Sequence, residues 1–207
     1  HAGCGGAGAA ARRGRRTLLL SQSLDTIGAM SCNPSIGGVA KGQIVRELDA
    51  LGGEMAKNTD RAGIHYQTLN LSKGAAVHSP RAQCDRRLYA LAMKETLEAQ
   101  ENLEMIQDEA AGLWVEGSRL RGVLGKRGAR YESQTVILTT GTFLNGLAHV
   151  GLRQMPSGRA SEPPAMGMSP ALRAMGLELG RMKTGTPPRL HGRSIDFSIL
   201  AKQVPDE

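Results

Sequence analysis

Aromatic side chains are nearly absent from this chain: two Phe, three Tyr and one Trp make up 3% of 207 residues. Cysteine is almost as scarce. Cys4, Cys32 and Cys84 are odd in number and show no C-x-x-C spacing, which excludes a disulfide framework and a zinc-ribbon type of site. Such usage fits a reducing compartment. His65 and His78 have no carboxylate or histidine companion at ligand spacing, so no metal site is expected. No apolar run approaches the ~20 residues of a membrane span, and no signal peptide is visible.

What is present is glycine, 27 residues, together with 40% hydrophobic and 22% charged residues. That composition is globular, and the length suffices for one domain or two small ones. Glycine-rich, aromatic-poor sequence with alternating strand and helix signals predicts an α/β nucleotide-binding architecture. The net charge of +7 favours a polyanionic partner such as nucleic acid, and Arg12, Arg13, Arg15 and Arg16 form a basic knot. The chain starts at His1 inside what reads as a motif and stops at Glu207 without a closing element. It therefore reads as a piece of a longer protein whose first strand precedes His1.

His1 to Arg13 predicts a short helix and Thr17 to Leu20 a buried strand. Gly38 to Leu51 reads as a helix with Val45, Leu48 and Leu51 on one face, stopped at Gly52-Gly53. A short helix over 54–60 and a strand over 64–69 follow. A long helix is expected over 81–100 and a strand over 103–107. Between 110 and 132 short apolar runs separated by Gly-Ser and Arg-Gly turns predict an antiparallel meander. Thr135 to Thr139 reads as a continuous apolar strand ending at Gly141. Beyond Gly146 the chain reads as loop, with a helix over 170–175.

Four groups of residues carry chemistry. Cys32 lies in the turn Ser31-Cys32-Asn33-Pro34-Ser35-Ile36-Gly37-Gly38-Val39. With a helix expected directly after it, the helix dipole would favour the thiolate, the nucleophilic form. His1, Ala2 and Gly3 resemble the end of a G-x-G-x-x-G pyrophosphate loop, with Gly3 as its last glycine. The acid that usually binds the ribose is replaced by Ser21-Gln22-Ser23, so Ser21 is the candidate contact there, and Gly141 would let backbone approach a cofactor. Lys73, Arg81, Arg159, Lys183 and Arg189 are candidate phosphate contacts, each also readable as an ordinary surface charge.

Longer motifs carry a resemblance. Cys32-Asn33-Pro34-Ser35-Ile36-Gly37-Gly38, Lys41-Gly42, Glu47-Leu48-Asp49-Ala50-Leu51-Gly52-Gly53, Arg81-Ala82-Gln83, Thr139-Thr140-Gly141-Thr142-Phe143-Leu144 and Lys183-Thr184-Gly185-Thr186-Pro187-Pro188-Arg189 closely resemble the MnmG (GidA) family, nearly end to end and in order. The resemblance implies a Rossmann-like FAD-binding domain of the two-dinucleotide-binding-domain flavoprotein type with an inserted small antiparallel β-meander. That domain would cover 1–145, with the meander at about 110–132, and a second, incomplete domain would begin over 146–207. It implies addition of a carboxymethylaminomethyl or aminomethyl group to carbon 5 of the wobble uridine of tRNA. Methylenetetrahydrofolate is then the one-carbon donor, glycine or ammonium the amine source, NADH the reductant, and an MnmE-type GTPase the partner of a homodimer. Cys32 matches one of two functional cysteines, and Ala110 and Ala165 match positions that touch FAD. Gly5, where the family usually has Glu, and Gln43, where it has His, depart from the pattern. Residues 1–207 alone are expected to be inactive and to bind FAD weakly or not at all. The competing readings are an FAD/NAD(P)H oxidoreductase acting on a small molecule, and a non-catalytic fragment.

Overall fold

The computed structural model describes residues 1–159, 162–185 and 187–206; Thr186 of the basic turn motif and the terminal Glu207 lie outside the described residues. In chain order the elements are α1 (Ala2–Arg12), β1 (Thr17–Ser21), β2 (Ser35–Gly37), α2 (Lys41–Ala50), α3 (Glu54–Ala62), β3 (Gly63–Leu69), β4 (Ser79–Cys84), α4 (Arg86–Glu98), β5 (Leu103–Gln107), β6 (Ala110–Glu116), β7 (Arg119–Gly125), β8 (Arg130–Glu132), β9 (Leu147–Val150), β10 (Arg153–Pro156) and α5 (Met168–Ala174). The class is mixed α/β. β1 and β5 pair in parallel, while β2-β4-β3, β6-β7-β8 and β9-β10 are antiparallel. The expected α/β architecture with its inserted meander is present.

The chain forms two compact units. One comprises Ala2–Ile27 and Gln100–Thr184. Here α1 lies on β1 and buries Cys4, Ala7, Gly8 and Ala11, one face at helical spacing. Gly3 makes this packing close. A Cβ at Gly3 would stand 2.8 Å from Thr139 Oγ1 and 3.5 Å from Leu19 Cδ1. At the far end of the pair, buried Asp108 accepts hydrogen bonds from Tyr131 Oη (2.9 Å) and from the Glu109 amide (2.8 Å). Gly125 passes directly against the Asp108 carboxylate, so no side chain fits at that position. α5 sits on β6, where a Cβ at Gly167 would stand 2.5 Å from the Ala111 carbonyl oxygen.

The other unit comprises His1, Gly28–Ala99 and the described part of Gly185–Glu207. Its sheet has β4 in the centre, and α3 and α4 pack together around Asn58, Ala62, Tyr89, Ala92, Met93 and Leu97. Asp85 caps α4: its Oδ1 accepts from the amides of Arg87 (2.8 Å) and Leu88 (2.9 Å). Those two bonds hold its carboxyl below the usual range.

Several expectations are corrected. The helix over 81–100 starts only at Arg86, because Asp85 caps it there; residues 79–84 instead form the strand that both neighbours need for pairing. Thr135–Thr139 forms no strand: a strand is made by its partner, and none pairs with it among the described residues. Residues 147–156, read as loop, form a hairpin. On α2 the stripe does not enter the core: Leu48 and Leu51 are exposed, Val45 is half-buried, and Gly42 is the buried residue.

Candidate functional site

Cys32 is the exposed thiol of the chain, whereas Cys4 and Cys84 are buried. The helix expected directly after it does not begin there. β2 intervenes and α2 starts at Lys41, so the dipole argument for its activation falls. What surrounds the sulfur is different. Cys32 donates its S–H to the Gly185 carbonyl at 3.2 Å, and Asn33 Nδ2 donates to the sulfur at 4.0 Å. The first of these bonds is made by the thiol and not by the thiolate. It brings the basic turn motif to the cysteine across most of the sequence.

Lys41, at the start of α2, is the residue that the sequence reading left among ordinary polar positions. Its ammonium donates to the Ser35 carbonyl at 3.3 Å. Although Lys41 is exposed, partial desolvation of its ammonium holds it below the usual lysine range, and the nearby sulfurs of Cys84 and Cys32 oppose that shift. Burial in turn pushes the Cys84 thiol up, with Lys41 opposing. The signal available in the sequence was the unit Gly37-Gly38 before the helix. A glycine at Gly37 is needed because a Cβ there would overlap the Pro80 carbonyl oxygen, and this close approach sets β2 and the start of α2 against β4.

The other candidates in this unit are more scattered. Lys73 is exposed and offers its carbonyl to the His78 ring (3.0 Å). Arg81 lies on β4 opposite Gly37 and Gln67. Arg189 is exposed. The His1 ring stands edge-on to Tyr89, with centroids 5.5 Å apart and Nδ1 3.4 Å from the phenol oxygen.

The nucleotide candidates Ala2, Gly3, Ser21, Ala110, Gly141 and Ala165 belong to the first unit, as do Arg159 and Lys183. Ser21 ends β1. Its hydroxyl donates to the Ser23 carbonyl (2.8 Å) and its own carbonyl accepts from the Asp108 amide (3.0 Å). Ala110 opens β6 opposite Gly125. Ala165 bridges Leu144, with its amide bonded to the Phe143 carbonyl (3.1 Å). Gly141 has φ +67° and open space where a side chain would be. Arg159 is already committed to Glu162 (2.5 Å). A cleft of about 400 Å³ opens where β1 and β5 end, lined by Gln22, Gln107, Asp108, Glu109, Lys126, Arg127 and Pro163. The carboxyl ends of parallel strands are where nucleotides sit in open α/β sheets. The cleft offers amides on Gln22 and Gln107 and a cation on Arg127 beside the carboxylates of Asp108 and Glu109, the latter paired with Lys126, while Gly3, Ala110 and Gly141 are not among its lining residues.

Fold and motifs together define an α/β protein of the class in which a helix packs through glycine on a parallel strand pair. The whole chain, residues 1–207, matches the family described as Glucose inhibited division protein A, and it belongs to that family. It is 56% identical over 207 residues to the tRNA uridine 5-carboxymethylaminomethyl modification enzyme MnmG of Geobacter sulfurreducens, covering 100% of this chain and 33% of that protein. It is 51% identical to the protein of the same name from Chlorobium phaeobacteroides, with the same coverage. The Aquifex aeolicus GidA structure in its form I crystal superposes with a TM-score of 0.94 at 48% identity, over 100% of this chain and 34% of that one. A GidA-related protein from Thermus thermophilus, 22% identical with a TM-score of 0.59 over 83% of this chain and 63% of that one, shares the fold. The chain thus spans about a third of the length of the curated relatives it matches.

Proposed function

We propose that this chain serves an FAD-dependent modification of tRNA, the addition of a carboxymethylaminomethyl or aminomethyl group to carbon 5 of the wobble uridine. The observation that carries the reading is the end-to-end likeness to proteins named as tRNA uridine modification enzymes. FAD, when bound, supplies the electron transfer of the reaction, recharged by NADH. Gly3, Ala110, Gly141 and Ala165 hold it through close backbone approach and Ser21 through its hydroxyl, with His1 and Ala2 directly ahead of Gly3. Methylenetetrahydrofolate brings the one-carbon unit, an MnmE-type GTPase is the partner, and the working form is a homodimer in the bacterial cytoplasm or the mitochondrion. No helix among the described residues is long and apolar enough to cross a membrane.

Cys32 is the nucleophile of this reading. Carbon 5 of uracil is a weak nucleophile until a group adds at carbon 6, and a thiolate is suited to that transient addition. For this the Gly185 carbonyl must leave the sulfur, since it pairs with the protonated form. Lys73, Lys183 and Arg189 hold the RNA backbone, with affinity that falls as salt rises, and Arg81 is a further nucleic-acid contact. Arg159 joins them only if it exchanges Glu162 for phosphate. In this reading residues 1–145 belong to the FAD-binding domain with its meander at about 110–132, residues 146–207 begin a second domain, and by themselves residues 1–207 do not turn over.

Two measurements on the chain test the proposal. Flavin absorbance after incubation with FAD reads the cofactor site, and tRNA binding across a salt series reads the substrate site. Binding of tRNA with a negative salt slope supports the reading. Failure to bind tRNA, with turnover of a small electron acceptor instead, favours an FAD/NAD(P)H oxidoreductase.

A further inference from the structure

One face of the sheet β2-β4-β3 carries a polar grid that the foregoing does not use as a whole. The register sets Ser35, Gln83 and His65 in one row, and Gly37, Arg81 and Gln67 in the next. The other face holds Ile36, Ala82 and Cys84, all buried. On the polar face both ring nitrogens of His65 and Nε of Arg81 are buried without a hydrogen-bond partner among the described residues. Buried polar atoms are paired in the great majority of native structures, so a cluster of exceptions on adjacent positions calls for an absent partner. Two further features frame the grid. Gly37 places no side chain beside Arg81, and Gly38 opens onto free space. The segment after Gly185 borders it, through Gln203 Nε2 donating to Gln67 Oε1 (2.6 Å) at β3, and through the Gly185 carbonyl at Cys32, in the turn that leads into Ser35.

We propose that this polar face seats the uracil base of the RNA substrate, with Arg81 as the residue that reads its edge. This rests on the tRNA reading above. An enzyme acting on a base reads it extruded, by hydrogen bonds to its pairing edge. That edge in uracil runs acceptor, donor, acceptor: O2, N3–H, O4. Gln83 and His65 each offer a donor and an acceptor and can adapt to either pyrimidine, through amide orientation and tautomer. Arg81 only donates. Facing O4 of uracil it is satisfied; facing the amino group of cytosine it sets donor against donor. Discrimination therefore falls to the guanidinium, while Gln83 and His65 supply complementarity.

The test compares the 207-residue chain's binding of two short anticodon stem-loop RNAs, identical except for U or C at the wobble position. Labelled RNA is followed by fluorescence anisotropy at one salt concentration. The wild type is expected to prefer U by about tenfold, within the range for a well-placed base contact. Arg81→Met is expected to bring the ratio to about one, with circular dichroism confirming the fold. If that variant does not fold, Arg81→Gln is judged in its place: a glutamine amide can present a donor or an acceptor, so its ratio is also expected to fall to about one. Equal binding of both RNAs by the wild type, or an unchanged ratio in the variant, overturns the base seat and leaves the tRNA reading standing. Failure to bind either RNA overturns the tRNA reading and this inference with it.

Discussion

Gly3 and Gly5 are near neighbours on α1, and replacing each by alanine should move stability in opposite directions. In a helix alanine is favoured over glycine by about 0.5–1 kcal/mol, because glycine loses more backbone freedom on folding. Gly5 has nothing within 4 Å of its missing Cβ, so Gly5→Ala should gain that amount. Gly3 meets Thr139 Oγ1 at 2.8 Å, well inside ordinary van der Waals contact. Overpacking of this kind costs about 1–3 kcal/mol, which exceeds the propensity gain. Gly3→Ala should therefore destabilise by roughly 0.5–2 kcal/mol once the two effects are combined. Thr139→Ala removes the offending oxygen, and the next atom, Leu19 Cδ1, lies at an acceptable 3.5 Å. In that background Gly3→Ala should become neutral or favourable, giving a coupling of about 1–2 kcal/mol. Urea midpoints of the chain, followed by far-ultraviolet circular dichroism, measure all four variants. If Gly3→Ala stabilises as much as Gly5→Ala, or the coupling is zero, the helix does not rest on Thr139 and the packing argument is refuted.

Alkylation with iodoacetamide under native conditions should mark Cys32 first, with Cys4 and Cys84 protected until unfolding; peptide mass spectrometry reads the order. Asp85 has a depressed carboxyl pKa, so its cap contributes stability that is full above the unfolded value of about 4 and lost as pH falls through the folded one. Asp85→Ala should remove that acid-side dependence and reduce helix content. Tyr131 has a phenol pKa raised by its bond to Asp108. Its contribution should be full below about pH 10 and lost as pH rises through the folded value, and Tyr131→Phe should flatten the alkaline limb of a stability profile. The affinity for tRNA should fall log-linearly with salt, and removing Arg189 should shallow the slope by about one.

The parts of the fold that the sequence revealed are those fixed locally. α1, β1, β5 and the meander carry their own periodicity and turn residues, and they appear where those signals place them. What was not legible depended on partners far along the chain. Ser79–Cys84 has helical neighbours in sequence, yet it is claimed as a strand by β2 and β3. Thr135–Thr139 has every strand preference and no strand beside it among the described residues. The site divides the same way. Cys32 was legible from its glycine- and proline-rich turn, but the Gly185 carbonyl that holds its S–H is a tertiary contact with no local trace. Lys41 was legible as half of the motif Lys41-Gly42, but not the partial desolvation of its ammonium near Cys84 and Cys32, which tertiary neighbours set.

The parallel pairing of β1 with β5 also dictates an order of events during synthesis. The Thr17-Leu18-Leu19-Leu20 segment is made early, yet its partner arrives roughly 80 residues later. At ~5–20 residues per second that is a delay of about 4–16 s, before any time spent leaving the ribosome. Throughout it, the edge of this short apolar strand that pairs with β5 stands bare, while the whole of α2, α3 and α4 is produced in between. The β1 segment is therefore open to intermolecular pairing until β5 is made, and mutations that slow the arrival of β5 should be felt in soluble yield before they are felt in the stability of the finished fold.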